Sequence, residues 1–358
     1  GNSYWGCCPF HSEKTPSFHV VPDRQMYKCF GCGKGVGAIN YVMELENLPF
    51  MDAVAVLAQR AGMQMPEFGT APGARERRDR ILEINRQAAR TFHRWLHGPE
   101  GAEGLAYLQK RGLSRRTLTN FGLGFAPNRW DGLITELAGQ GYDKRDLLDA
   151  GLAVSSKEGR IYDRFRNRVI FPIIDVRGNV IGFGGRVMDN SMPKYLNSPD
   201  TPVYNKSRNV FALNIAKTSK AGRVILTEGY MDTISLHQAG FDSAVASLGT
   251  ALTEEHGQLL AKYFKEAIIA YDGDGAGVAA AQRAIPILEK TGLKVKVLRV
   301  TGAKDPDEFI KAYGREAFAR LLDQSENQVD YRLAKIQKKY DLNDDSQKVA
   351  FLQEAAQL

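Results

Sequence analysis

Val224-Ile225-Leu226-Thr227-Glu228-Gly229-Tyr230-Met231-Asp232 decides the fold: an apolar run ends on an acidic residue and a glycine, then passes into a helical pattern. The unit recurs downstream. Residues 231–238 read as a helix, Ala244-Val245-Ala246 as a second strand before Ser247-Leu248-Gly249-Thr250, and residues 253–264 as a helix. Ala267-Ile268-Ile269-Ala270-Tyr271 is a third strand, ending at Asp272-Gly273-Asp274-Gly275-Ala276-Gly277. A helix over 279–288 and a fourth strand, Val295-Lys296-Val297-Leu298, complete the pattern. Alternating strands and helices imply a parallel sheet with helices on both faces. In such sheets chemistry gathers at the carboxyl ends of the strands, where Glu228, Asp272 and Asp274 stand. Two aspartates separated by one glycine can face one side of a tight turn and share a metal. Oxygen ligands favour Mg²⁺ or Mn²⁺, and like charges crowded together repel without a cation. Asp232 sits one helical turn beyond Glu228, and Asp305-Pro306-Asp307 can add a further pair. Alone, Asp272-Gly273-Asp274-Gly275 also reads as an ordinary turn or helix cap; the Glu228–Asp232 stretch upstream strengthens the metal reading.

Upstream of this unit the charge changes sign. Residues 67–217 hold 25 basic and 16 acidic residues, net +9, whereas residues 1–66 are neutral and residues 218–358 carry −2. A basic excess is either a solvated face or a polyanion track. Asp163-Arg164-Phe165-Arg166-Asn167-Arg168 feeds a buried strand, Val169-Ile170-Phe171-Pro172-Ile173-Ile174. The returning strand carries Gly182-Phe183-Gly184-Gly185-Arg186, whose glycines admit a ligand or another backbone. Arg164, Arg168, Arg186, Lys194 and Lys206 are the cations expected around phosphates, with Tyr195 and Asn197 placed to contact sugar or base. Residues 75–96 read as an arginine-rich helix. His93 and His97, four apart without the following Glu of H-E-x-x-H, read as a solvated face.

All four cysteines, Cys7, Cys8, Cys29 and Cys32, lie near the start. Cys8-Pro9-Phe10-His11 and Cys29-Phe30-Gly31-Cys32 are two knuckles, each with two residues between ligands, and three thiolates with one imidazole suit a closed structural Zn²⁺ site. Cys7 or Cys8 could open the first knuckle, but only Cys8 has the two-residue spacing to His11. Residues 17–21 and 25–29 alternate as a hairpin around Pro22-Asp23, a zinc-ribbon pattern. Phe18, Tyr27, Phe30 and Lys28 either meet a nucleic acid or, for the aromatics, form the core of a small domain. Two short amphipathic helices follow, over 38–43 and 50–58, and residues 66–73 read as a linker.

The 358 residues suggest two or three domains, and 43% hydrophobic with 25% charged residues excludes disordered, collagen-like and disulfide-scaffold chains. No apolar stretch approaches the roughly 18 residues of a membrane helix, and residues 1–5 carry no signal-peptide pattern. A cytoplasmic location and no membrane partner are expected.

The zinc-ribbon motif, the basic stretch 164–199 and the motifs at 228–232, 247–250, 271–277 and 305–307 resemble, in this order, the bacterial-type DNA primases. The last group resembles their toprim domain, a fold shared with topoisomerases. The resemblance implies an α+β and α/β multidomain chain. Its parts are a zinc ribbon (1–66), a linker (67–75), a basic α+β subdomain (76–217), a toprim parallel sheet (218–310) and a helical tail (311–358). It implies zinc at Cys8, His11, Cys29 and Cys32, and catalytic metal at Glu228, Asp272 and Asp274, supported by Asp232, Asp305 and Asp307. Nucleotide and template contacts fall to Arg164, Arg168, Arg186, Lys194, Tyr195, Asn197 and Lys206. The implied activity is template-directed RNA primer synthesis, with single-stranded DNA, ribonucleoside triphosphates and the primer–DNA hybrid as partners. A replicative helicase would bind through a C-terminal domain outside this sequence, and the chain is expected to be a monomeric fragment. A toprim topoisomerase would need a nucleophilic tyrosine, for which Tyr195, Tyr230 and Tyr271 sit in the wrong contexts. A binding-only ribbon protein would have no use for the acidic cluster.

Overall fold

The computed structural model describes residues 3–356 except 12, 47, 49, 64–72, 328–332, 334–335, 338 and 343; for residues 51, 326, 327 and 345 it describes only the backbone. The chain forms two compact units, Gly1–Arg75 and Glu76–Leu358. Most of the linker expected at 67–75 lies outside the described residues.

In the first unit, strands β1 (Tyr4–Gly6), β2 (Phe18–Val21), β3 (Met26–Cys29) and β4 (Gly35–Gly37) form an antiparallel sheet in sequence order. Helices α1 (Ala38–Glu46) and α2 (Phe50–Arg60) follow. The core is Cys8, Phe18, Tyr27 and Cys29, with Phe10, Val20 and Tyr41 packed against it. So small a core needs a metal to hold it.

The second unit opens on α3 (Ala74–His97), whose Ile81, Ile84, Ala88, Phe92 and Trp95 recur at helical spacing and are buried. Of the two readings of the basic excess, its outer face follows the solvated face rather than the polyanion track. Arg77 forks onto Asp149 with both bonds at 2.7 Å, Arg80 pairs with Asp146 and Arg94 with Glu136. The helix therefore spends these arginines on its own neighbours. His93 also departs from the solvated-face reading: it is half-buried, with Nδ1 2.7 Å from the Leu123 carbonyl, while His97 is exposed.

Helices α4 (Ala102–Lys110) and α5 (Arg115–Asn120) lead to β5 (Gly124–Ala126), then α6 (Gly132–Ala138), α7 (Lys144–Asp149) and the hairpin β6 (Ala153–Ser155) with β7 (Ile161–Asp163). Asp163 is buried, and its carboxylate accepts the Leu133 and Ile134 N–H groups at 2.7 and 3.1 Å, pinning the start of α6. Strands β8 (Arg168–Ile174), β9 (Val180–Val187) and β10 (Tyr195–Asn197) join β5 in an antiparallel sheet ordered β10-β9-β8-β5.

After α8 (Leu213–Ala216) the alternating unit builds a second sheet from β11 (Arg223–Thr227), β12 (Ala244–Ala246), β13 (Glu266–Ile269), β14 (Lys294–Val297) and β15 (Glu326–Asn327). Its order is β12-β11-β13-β14-β15; the first four strands are parallel and β15 is antiparallel. Side chains alternate faces along each strand. Val224, Leu226, Ala267 and Ile269 pack under α10 (Glu254–Ala261) and α11 (Gly275–Lys290). Ile225 and Ile268 pack under α9 (Tyr230–Gln238) and α12 (Pro306–Asp323). The tail expected to be helical contributes β15 to this sheet before α13 (Asp345–Ala355).

The two sheets share a core in which Phe171 of the basic sheet is fully buried and stacks on Tyr230 of α9 with ring centres 4.9 Å apart. The β9 glycines admit protein side chains. A Cβ on Gly184 would lie 2.5 Å from Tyr230 Cζ, and one on Gly185 would lie 2.8 Å from the Phe165 ring.

Two outcomes are expected. Gly184→Ala overpacks the joint and lowers unfolding free energy in urea by about 1–3 kcal/mol, whereas Gly6→Ala, with open space around the new methyl group, leaves it unchanged. Burial, opposed by the two N–H bonds, raises Asp163 to about 6. Its folded pKa exceeds the unfolded one, so the stability it contributes is lost as pH rises through 6. The parent should lose about 1 kcal/mol relative to Asp163→Asn between pH 5 and 7.5, read as the difference between the two urea curves.

Candidate active site

The first unit brings Cys8 and His11, from the loop after β1, to Cys29 at the end of β3 and Cys32 in the following turn. Their ligand atoms all lie within 4.8 Å of one another. Cys8 Sγ is 3.8 Å from Cys32 Sγ, and Cys29 Sγ is 3.8 Å from His11 Nδ1. Tetrahedral Zn–S bonds of about 2.3 Å place two sulfurs about 3.8 Å apart, so the donor set fits zinc. Backbone N–H groups of Phe10 and Cys32 donate to Cys8 and Cys29 sulfur, both at 3.4 Å. His11 Nε2 lies 3.2 Å from the Glu13 carboxylate, the arrangement that fixes a metal-binding imidazole's tautomer and aim. Glu13 also accepts the Cys8 N–H at 2.7 Å. Gly31 is required here, since a Cβ would lie 2.6 Å from His11 Nε2. Cys7 is exposed and outside the cluster.

The aromatics divide. Phe18 and Tyr27 are core, 8% and 4% exposed, with ring centres 5.1 Å apart, so neither meets a ligand. Phe30 is exposed beside two rings the sequence did not single out, Trp5 and His19, which stack with centres 4.3 Å apart. Strand register places Trp5, His19 and Lys28 in one cross-strand row.

In the second unit the acidic residues gather at the carboxyl edge of the parallel sheet. Glu228 follows β11, and its Oε1 accepts the Asp272 N–H at 3.1 Å. This approach needs Gly277, where a Cβ would lie 2.6 Å from Glu228 Oε1. Asp274 caps α11 through the Gly277 N–H at 2.8 Å, and Asp305 caps α12 through the Glu308 N–H at 2.8 Å. The cap reading of Asp274 therefore holds alongside its place in the cluster. Asp232 lies in the first turn of α9 and accepts the Asp307 N–H at 3.4 Å. Burial, then Asp305, Asp272 and Asp307, raises Asp232 to about 7. Burial, then Glu228, Asp305 and Asp274, raises Asp272 to about 6. Burial and Asp274 raise Glu228. These carboxyls share one field, which a hard cation would relieve.

Asp307 is engaged otherwise. It is 1% exposed and pairs with Lys311 at 2.6 Å and Arg111 at 3.0 Å, while Ser235 Oγ donates to its other oxygen. Beside it opens a cavity of about 720 Å³, lined by Lys110, Arg111, Arg186, Lys194 and Lys311 among others. Arg186 lies between the Tyr107 and Tyr195 rings, and its buried Nε and Nη1 have no partner among the described residues; Arg111 Nε is likewise unpartnered there. Unpaired buried guanidinium nitrogens favour an anionic ligand.

Of the seven expected nucleotide contacts, Arg186 and Lys194 line this cavity, and the Tyr195 ring lies against Arg186. Arg164 instead holds the Asn197 carbonyl at 2.8 Å, and buried Arg168 lies 3.3 Å from the Gly185 carbonyl. Asn197 Nδ2 donates to the Leu248 carbonyl, and its Oδ1 accepts Tyr230 OH, both at 2.8 Å. Lys206 lies elsewhere, its carbonyl against His256 Nε2. Tyr230 and Tyr271 are buried, contexts that do not suit a nucleophile. Lys110, Arg111 and Lys311 were missed because a basic residue on or at the end of an amphipathic helix looks like a solvated face. Trp130 was missed too: it is 65% exposed, with Arg166 over its ring at 4.3 Å and over Tyr162 at 4.9 Å.

Family models match along the chain: CHC2 zinc finger over residues 1–71, DNA primase catalytic core, N-terminal domain over 91–217, and Toprim-like over 225–310. The chain is 42% identical to the DNA primase of Clostridium acetobutylicum over 361 residues, covering 100% of this chain and 60% of that protein. It is 42% identical to the Escherichia coli K12 DNA primase over 334 residues, covering 91% and 57% respectively. The chain thus spans about 60% of the length of these curated relatives. Among solved structures, the zinc-binding and RNA polymerase domains of the Aquifex aeolicus primase align with TM-score 0.67 at 36% identity, covering 94% of this chain and 82% of that one. A DnaG primase catalytic domain bound to single-stranded DNA aligns with TM-score 0.70 at 36% identity, covering 77% and 91%. With the ribbon, the basic sheet and the acidic α/β edge matched in order, the chain belongs to the bacterial DnaG-type DNA primase family.

Proposed function

We propose that this chain makes short RNA primers on single-stranded DNA for replication by template-directed nucleotidyl transfer. The observation that carries this reading is the pairing of an acidic sheet edge with a cavity holding unpartnered arginine nitrogens. Glu228, Asp272 and Asp274 would hold the catalytic cation, with Asp232 and Asp305 shaping its field. The chemistry supplied by bound Mg²⁺ or Mn²⁺ is Lewis-acid stabilisation of the attacking and leaving oxygens. Arg186, Arg111 and Lys194 bind the triphosphate of the incoming ribonucleotide and orient it for in-line attack by a 3′-hydroxyl on the α-phosphorus. Arg164, Arg168 and Asn197 act one step back, keeping β10 and its Tyr195 in place.

Two further surfaces fit the template. The Trp130–Arg166–Tyr162 cluster offers a ring and a cation for a single strand. The row Trp5–His19–Lys28, exposed at Trp5 and Lys28 and with Phe30 beside it, supports start-site selection by the ribbon, whose shape depends on Zn²⁺ at Cys8, His11, Cys29 and Cys32. On this reading the chain works in the cytoplasm, as a monomer, on the primer–DNA hybrid. A replicative helicase would join through a segment outside this sequence.

Asp272→Ala or Asp274→Ala should each lower labelled-ribonucleotide incorporation on a single-stranded template about a hundredfold or more; near-parent synthesis by either would remove the metal assignment. Stripping zinc with a chelator should release one equivalent per chain and expose the β1–β4 amides to hydrogen exchange. The β11–β14 amides should stay protected. Persistent protection of β1–β4 without metal would show that the ribbon folds without it.

A further inference from the structure

Resting on that reading, the reaction needs a seat for the attacking strand as well as for the triphosphate. In-line displacement puts nucleophile and leaving pyrophosphate on opposite sides of the α-phosphorus. The sheet order β12-β11-β13-β14 sets the segments after these strands side by side: loop 247–252, Glu228, Asp272 with Asp274, then residues 305–311. The many-cation cavity lies at the 305–311 end. At the other end, beyond Glu228, a separate cavity of about 390 Å³ opens between the loop after β12 and α11. Glu228 lines it with Ser247, Thr250, Ala276, Ala280 and Arg283.

Its chemistry differs from that of the first cavity. Among the described residues Arg283 is the one cation lining it, which matches a single phosphodiester charge rather than a triphosphate. Arg283 is exposed and makes no hydrogen bond or ion pair among the described residues, so its charge is free for a ligand. Ala276 and Ala280 end at Cβ and leave room for a sugar, while Ser247 and Thr250 supply hydroxyls. We propose that this cavity seats the 3′-terminal nucleotide of the growing strand, its hydroxyl toward Glu228 and its phosphodiester on Arg283. The O3′–Pα bond then forms as the bond from Pα to the bridging oxygen breaks. Pyrophosphate leaves with that electron pair toward the Arg186 side, and the hydroxyl proton goes to solvent. Arg283 is a positioning residue: it holds the strand and does not touch the reacting atoms.

The test is single-nucleotide extension of an RNA primer annealed to a DNA template, with primer–template and ribonucleotide varied separately. Arg283→Ala should raise the KM for primer–template about tenfold, leave the KM for ribonucleotide within about twofold, and leave the unfolding midpoint unchanged. Arg283→Lys, which keeps a point charge, should recover most of the loss. An unchanged KM for primer–template, or a raised KM for ribonucleotide alone, overturns the assignment. If the parent chain extends no primer at all, the primase reading itself fails, an outcome distinct from a parent-like Arg283→Ala.

Discussion

The insertion of Tyr230 over Gly184 is the contact on which the second unit depends. Tyr230 lies two residues after Glu228, on the first turn of α9, and its ring fills the space left by a missing Cβ on β9. Its hydroxyl ends on Asn197, which also ties β10 to the loop after β12 through Leu248. One side chain thus sets the distance between the sheet that carries Arg186 and the strand end that carries Glu228. A cationic cavity and an acidic edge placed by separate, loosely joined sheets would not keep the near-attack geometry that phosphoryl transfer needs.

Electrostatic strain is built in around that joint. Five carboxyls lie at one strand edge, three of them raised by burial and by one another. Their helix caps and backbone bonds hold them together despite repulsion, which leaves the edge avid for a hard cation. Asp307 shows the alternative solution: sunk below the surface, it takes Arg111, Lys311 and Ser235 as partners and ties α4 to α12. The ribbon meets a related problem with less material. Its few core side chains lie over thiols that only a metal can hold close, and its aromatics split between that core and an open face.

Much of this was legible in the residue order. Short apolar runs ending in glycine or acid, alternating with helical patterns, located the four parallel strands of the second sheet, because the strand ends carry recognisable chemistry; the antiparallel β15 was not located. Two-residue spacing located the zinc ligands, since a single tight turn aims both side chains. Legibility failed where a residue's role depends on what lies across from it. Gly182, Gly184 and Gly185 looked open to a ligand, yet side chains from elsewhere in the chain fill that space. Arg164, Arg168 and Asn197 looked like contact residues, yet they bind the chain's own carbonyls. Arg111 and Trp130 sit in unremarkable local sequence and acquire meaning only from neighbours distant in the chain.

The sequence by itself determined the alternation of strands and helices, the acidic strand ends and the metal knuckles, because each is encoded by residues a few positions apart. The tertiary structure alone decided which cations stay unpaired, which carboxylate is neutralised and which aromatics are buried. Those outcomes turn on distances between residues tens to hundreds of positions apart, which packing sets and local pattern does not.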